Sequence, residues 1–350
     1  MPFGTLTIYT SSQKGSKEFD AQLLEKFGAK VIRDRAKVLL PTPRITKRAI
    51  DTLKKEEIVR VWFGAAAPLA LMANQLRAAG ATHIVALTHG HEIWWAKIPV
   101  FKQLLKRIIK GVDLLGYLGN FTRDELTKVC NQPEKMVQIA PGINTEHFSP
   151  RTASNELITK YRLEERKVIV CVARLVHRKG QDKLIAAMPK ILEKHPDAIL
   201  LLVGVGPIKQ MLENSAKQLR ITPKVVFTGR VSYASLPDYI SLAQVFAMPV
   251  RSRFAGLEVE GLGIVYLEAS ACGKPVVVGN SGGAADAVID GVTGLLIDGN
   301  KVDQISDAIC KLLDDQDKAK QMGLAGRGWV IDNWQMKNWS EKFNKLLLSN

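Results

Sequence analysis

Two runs, VIVCV at Val168–Val172 and ILLLV at Ile199–Val203, are apolar at every position. A strand sends successive side chains to opposite faces, so a strand apolar throughout must be covered on both. That is the setting of a parallel sheet between two layers of helices. Similar short runs recur at Leu6–Tyr9, Lys30–Arg33, Arg60–Phe63, His83–Leu87, Val112–Leu118 and Met136–Ala140. A second series follows at Lys167–Val172, Ala198–Val203, Lys224–Phe227, Val245–Met248, Pro275–Val278 and Leu295–Ile297. Segments of helical period, such as Asp182–Lys194 and Val302–Leu313, separate them. Two series of six predict an α/β chain of two doubly wound, Rossmann-like domains facing a cleft.

The 350 residues are enough for two such cores, since domains typically hold about 150–200. A cluster of Pro, Gly, Asn, Thr and Ser at Pro141–Glu156 marks the boundary. The expected domains are 1–149 and 150–332, with 333–350 a terminal helix returning to the first. At 46% apolar and 24% charged, the composition excludes disordered and collagen-like chains. Cys130, Cys171, Cys272 and Cys310 are far apart and form no C-x-x-C pair. A disulfide scaffold and a cysteine zinc site are therefore not expected, and a cytosolic setting is. No apolar run approaches the roughly 18–20 residues that span a bilayer. The longest, Ala65–Ala73, contains a proline and reads as a core helix, and nothing at Met1 reads as a signal peptide.

The net charge is +15, of which residues 1–150 carry +9. Such an excess suits a polyanionic partner, whether nucleic acid, an anionic membrane face or a phosphorylated substrate. No recognition helix or aromatic sheet motif supports nucleic acid.

Ligands of doubly wound sheets bind beyond the carboxyl ends of the strands. Three stretches at such ends carry chemistry. The first is RSRFAGLEVEGLGIVYLEASACG, Arg251–Gly273, where a strand gives way to a helix. Gly261 and Gly263 allow close backbone approach, and the free N–H groups of Gly263, Ile264 and Val265 form a site for phosphate. Glu260 and Glu268 flank that helix mouth in an E-x7-E spacing, suited to holding a sugar and a ribose. The second is Arg174–Gly180, RLVHRKG. Here Arg174 offers a planar fork and Lys179 a point charge for a diphosphate, while His177 and Arg178 are expected to face water. The third is THGHE at Thr88–Glu92, where His89 can reach a substrate hydroxyl or the reacting sugar, with His91 and Glu92 in lesser roles. His-x-His could also hold a metal, but no further His or Cys cluster completes such a site, so none is expected.

Gly204-Val205-Gly206 and Gly282-Gly283 do not make a dinucleotide fingerprint, and P-loop and G-x-S-x-G motifs are absent. The segment Trp94–Leu115 interleaves apolar residues with Lys102, Lys106, Arg107 and Lys110. It reads equally as a helix lying on an anionic membrane and as one packed on its own sheet.

Together the E-x7-E element and the Arg-x4-Lys pair resemble the retaining GT-B glycosyltransferases of family four. Within that family, WFGAAAPLALMA (Trp62–Ala73), THGHE, RLVHRKGQD (Arg174–Asp182) and LEVEGLGIVYLEASACGKPVV (Leu257–Val277) are similar to members that move mannose from GDP-mannose to a phosphatidylinositol mannoside. The likeness runs from about Thr5 to the end of the chain. It implies that Arg174 and Lys179 neutralise the donor diphosphate, Glu268 holds the ribose and Glu260 contacts the transferred sugar. His89 would lie where the acceptor arrives, and Arg230 and Val231 would lie at the nucleobase. It also implies retention by front-side attack without a metal or cofactor, on the inner face of the plasma membrane. Another sugar nucleotide, another acceptor or a non-catalytic binder are the alternatives. Against the family, LTIYT corresponds to its second strand. The first strand and its Gly-Gly loop are therefore expected to be missing, through a misplaced start or a real truncation. The first sheet would then have an uncovered edge, and this chain would be poorly active.

Overall fold

The computed structural model describes residues 2–348. Strands form at all twelve expected places: β1 (Thr7–Ser11), β2 (Lys30–Asp34), β3 (Arg60–Phe63), β4 (His83–Leu87), β5 (Leu114–Tyr117), β6 (Met136–Gln138), β7 (Lys167–Val172), β8 (Ala198–Val203), β9 (Val225–Gly229), β10 (Val245–Met248), β11 (Val276–Gly279) and β12 (Gly294–Ile297). The chain divides into two compact units. One takes the residues through Tyr117, Glu125–Ile139 and the end of the chain from Glu341; the other takes Leu118–Asp124 and Ala140–Ser340. No described helix is long and apolar enough to cross a membrane.

In the second unit all six strands run parallel in the order β12-β11-β10-β7-β8-β9. The most apolar strands take the interior: every residue of β8 is buried, and β7 pairs with it over six residues in unbroken register. The helix Gln181–Lys194 buries Leu184, Ile185, Ala187, Met188 and Ile191, the spacing of one helical face. It packs on the helix Val302–Asp314. From β7 the chain winds outward to β9, then returns to lay β10 on the free side of β7. The winding direction reverses there, so a crevice opens above the carboxyl ends of β7 and β10.

The first unit contains two sheets, where the sequence predicted a single series of six strands. Strands β3-β4-β5-β6 form one parallel sheet, and β1 with β2 forms another. A cavity of about 190 Å³ lies along β3, lined by Arg60–Gly64 together with Thr7 and Tyr9 of β1. The four successive residues of β3 line it from both faces of the strand, so the cavity follows the unpaired edge of β3. The β1–β2 pair is held instead through Asp34, a fully buried carboxylate. It accepts from Arg44 (2.9 Å), Arg48 (2.8 Å), the Tyr9 hydroxyl (2.8 Å) and the Ala36 N–H (2.7 Å). The Arg44 hydrogen bond, then the Ala36 N–H, holds its pKa well below the usual carboxylate range.

The stretch Ala65–Ala73, expected as a core helix, has a buried apolar side but makes only the 3₁₀ turn Leu69–Met72 before the helix Ala73–Ala78 begins. In the second unit β8, buried at every position, should contribute strongly to stability. Leu201→Ala is expected to lower the unfolding free energy by about 3 kcal/mol, the scale for emptying a fully buried leucine site. Urea denaturation would measure it.

Candidate functional site

The two loops beside the reversal point carry the residues singled out in the sequence. After β7 the chain runs through Arg174 to a single 3₁₀ turn, His177–Lys179, closed by Gly180. Gly180 has φ 77°, and a Cβ there would strike the Pro249 carbonyl. A glycine is therefore required for this loop to lie against the end of β10. The Gln181 side chain donates to the Arg174 carbonyl at 3.0 Å, and the Arg251 N–H donates to the Arg178 carbonyl at 2.9 Å. The loop after β7 is thus tied at both ends.

Lys179 and Glu260 meet: Nζ donates to Oε2 at 2.8 Å, with both side chains almost fully buried. Arg178, expected in water, folds inward instead. Its guanidinium donates to the Val259 carbonyl at 3.3 Å and stands 4.0 Å from the same Glu260 oxygen. The negative Glu260 draws it in, and the contact lies 82 positions along the chain, beyond any local pattern. Arg174 is exposed, and no ion pair engages it among the described residues. The site therefore directs two cations, Lys179 and Arg178, at one carboxylate and leaves a third, Arg174, open to solvent.

The helix Ile264–Ala271 starts from Gly263 in the left-handed conformation at φ 77°. Its position is fixed by Tyr266, fully buried, whose hydroxyl donates to the Met248 carbonyl at 2.5 Å. The first-turn N–H groups of Gly263, Ile264 and Val265 have no carbonyl partner within the helix, as at any helix start. Gly282 and Gly283, left without a role by the sequence, pack directly on the backbone of Glu260 and Gly261. The Gly283 N–H donates to the Glu260 carbonyl at 2.8 Å. A further support was illegible in the sequence: Arg251 forms a two-pronged pair with Asp182, both bonds 2.8 Å, locking the loop after β10 to the helix that follows the loop after β7.

Arg230 and Val231 follow β9, also at a carboxyl end. Arg230 is exposed, and Val231 packs against the core. His89 belongs to the first unit, after β4. Its Nε2 lies against the Gly64 carbonyl, and its N–H donates to Glu92 Oε2 at 2.9 Å. Glu92 is fully buried and also stands 3.3 Å from His91 Nε2. Glu92 thus sets the turn that carries His89.

The basic segment proves to be two helices, Glu92–Lys97 and Pro99–Gly111. Ile98 is extended, as a residue before proline prefers. Trp95, Leu105, Ile108 and Ile109 are buried in the unit's own core. Of the cations, Arg107 and Lys110 are exposed and Lys102 and Lys106 half-buried, while Val100 is the large apolar side chain left outside.

Such a doubly wound parallel sheet, with charged and glycine-rich loops at its reversal point, fits the GT-B glycosyltransferases. The sequence model described as "Glycosyl transferases group 1" matches residues 154–329, and the chain belongs to that family. It is similar in fold to a glycosyltransferase from Rickettsia africae ESF-5, with a TM-score of 0.79 at 18% identity, covering 99% of each chain. The Anabaena protein Alr3699/HepE, solved in complex with UDP, gives a TM-score of 0.78 at 16% identity over 98% of this chain and 99% of that one. Among curated relatives, the GDP-mannose-dependent alpha-(1-6)-phosphatidylinositol monomannoside mannosyltransferase of Mycolicibacterium smegmatis is 43% identical over 98% of this chain and 90% of its own length. The Corynebacterium glutamicum mannosyltransferase acting on a monoacylated form of that phosphatidylinositol monomannoside is 39% identical over 99% of this chain and 90% of its own length.

Glu268 stands apart from the other charges. It is 92% buried, and no hydrogen bond to its carboxyl is made among the described residues. Burial raises its pKa to about 7. The folded state therefore binds this proton more tightly than the unfolded chain does. The resulting stability is complete below the ordinary carboxyl range and is lost as pH rises toward and through about 7. Its full size is about 3 kcal/mol. Glu268→Gln has no proton to lose, so its stability relative to the native chain should rise between pH 4.5 and 8. Parallel denaturation curves across that range would measure the difference, and a constant difference would refute the assignment.

Proposed function

We propose that the chain is a retaining mannosyltransferase that moves mannose from GDP-mannose to a phosphatidylinositol mannoside. The reading is carried by the 43% identity to the Mycolicibacterium smegmatis enzyme across 98% of the chain. The charge arrangement supports it. The second unit takes the donor: Arg174, Lys179 and the N–H groups of Gly263, Ile264 and Val265 bind the diphosphate. Glu268 receives the ribose hydroxyls, Glu260 meets the mannose, and Arg230 and Val231 border the guanine. A ribose hydroxyl donating to Glu268 favours its ionised form, so donor binding and loss of that proton are coupled.

In the reaction the bond between the anomeric carbon and the β-phosphate oxygen breaks, its electron pair staying on the phosphate. The acceptor hydroxyl forms its bond to the anomeric carbon from the same face and passes its proton to the leaving phosphate oxygen. Negative charge grows on that phosphate, and Lys179, Arg174 and the helix start are fixed around it beforehand. The donor diphosphate draws Lys179 away from Glu260, which leaves that carboxylate free for the sugar. The first unit takes the acceptor, with His89 beside the incoming hydroxyl. Lys102, Lys106, Arg107 and Lys110 hold the protein to the anionic inner face of the plasma membrane.

Radiolabelled transfer to phosphatidylinositol monomannoside from GDP-mannose, with UDP-glucose in parallel, tests the reading. Transfer from GDP-mannose alone is expected; transfer from UDP-glucose alone would replace the donor. Lys179→Ala should lower turnover roughly 10²–10³-fold, the scale for one preorganised charge-stabilising group, and near-native turnover would remove its role. Changing Lys102, Lys106, Arg107 and Lys110 together to Gln should reduce co-sedimentation with vesicles containing phosphatidylinositol. Unchanged sedimentation would dismiss that surface.

A further inference from the structure

The loop after β9 carries, three residues beyond Arg230, an aromatic side chain with no assigned role. Tyr233 is 57% exposed. Its ring is nevertheless held. It stacks on the His147 imidazole with centroids 4.8 Å apart and planes at 21°, and it meets Phe148 edge-on at 5.5 Å. His147 Nε2 also lies 3.0 Å from the Tyr233 carbonyl oxygen. Phe148 is buried at 1% exposure, so the support is rooted in the core.

The surrounding loop is closed as firmly. The Ser232 hydroxyl accepts the Ser235 N–H at 3.1 Å and stands 2.7 Å from the Ser235 hydroxyl. Arg151 donates to Asp238 at 2.8 Å, joining the segment that carries His147 to the helix Leu236–Ser241. A surface tyrosine without a partner samples several rotamers. This one is fixed on one face by a second ring, and no other ring contacts it among the described residues apart from Phe148 at its edge.

What lies beside it gives the chemistry. After burial, the charge of Glu268 is the cause that raises the Tyr233 hydroxyl pKa, so the two groups share one neighbourhood. Arg230 and Val231 precede it on the same loop. An immobilised aromatic face beside an unpartnered carboxyl matches a flat heterocycle joined to a sugar with free hydroxyls, which is a nucleoside.

We propose that Tyr233, backed by His147, is a stacking platform for the nucleobase of the sugar-nucleotide donor. The inference rests on the reading of Glu268 as the ribose-binding carboxyl. Stacking is tolerant of base identity because every base offers a π-face, so this contact supplies affinity and leaves base choice to edge contacts elsewhere. The His147 support means that little side-chain freedom is lost on binding, which raises affinity without any added contact.

Calorimetric titration separates the possibilities, using GDP and ribose 5-diphosphate, which keeps the sugar and phosphates but lacks the base. Tyr233→Ala should weaken GDP roughly tenfold, the scale of one base–aromatic stack, and leave ribose 5-diphosphate unchanged. Tyr233→Phe keeps the ring and should bind GDP as the native chain does. His147→Ala should give an intermediate loss confined to GDP. Native GDP affinity in Tyr233→Ala overturns the platform, and an equal loss for both ligands assigns Tyr233 a purely structural role. If the native chain binds ribose 5-diphosphate but gains nothing from the base, the platform alone fails. If it binds neither ligand, the donor reading itself falls.

Discussion

The pairing of β10 with the free side of β7 is the constraint on which the candidate site depends. It matches Val245 to Ile169 and Phe246 to Val170, and it brings two loops more than seventy residues apart to adjacent strand ends. Without it Lys179 and Glu260 would have no reason to meet. Everything that then tightens the site is short-range: the Arg251–Asp182 fork, Gly180 against Pro249, Gly283 against Glu260 and the Tyr266 hydroxyl on Met248. These contacts place polar groups on backbone that has little freedom left, which is the condition for electrostatic preorganisation.

The charges in that frame are unequal by design of their surroundings. Lys179 and Arg178 converge on Glu260, so this carboxylate is compensated by the protein's own cations. Glu268, within the short helix that follows, is buried without such compensation, and its raised pKa expresses that burial. One carboxyl is satisfied by neighbouring cations and the other is not. The neighbouring Tyr233–His147 stack extends the same logic to an apolar surface, immobilised before anything binds.

In the first unit the amphipathic segment illustrates a competition between two apolar environments. Its stripe of Trp95, Leu105, Ile108 and Ile109 could in principle have faced lipid, but the parallel sheet beneath needs covering, and the core takes it. What remains outward is mostly cationic, so any attraction to an anionic surface is electrostatic and sensitive to salt. The β1–β2 pair shows a comparable substitution of means: buried Asp34 and its guanidinium partners anchor it where a continuous sheet would otherwise have done so.

All twelve strands were legible in the sequence, because strand burial is written locally in runs such as VIVCV and ILLLV. The placement of Lys179, Glu260, the glycine-led helix start and Glu268 on loops and a helix that follow strand ends was legible too, since glycine, charge and strand ends are features of adjacent residues. The split of the first sheet, the inward turn of Arg178, the Arg251–Asp182 fork and the ring support behind Tyr233 were not. Each depends on which distant segments become neighbours. A local pattern fixes what a residue prefers, but a buried charge takes the partner that packing brings within hydrogen-bonding distance, and only the tertiary structure decides which one that is.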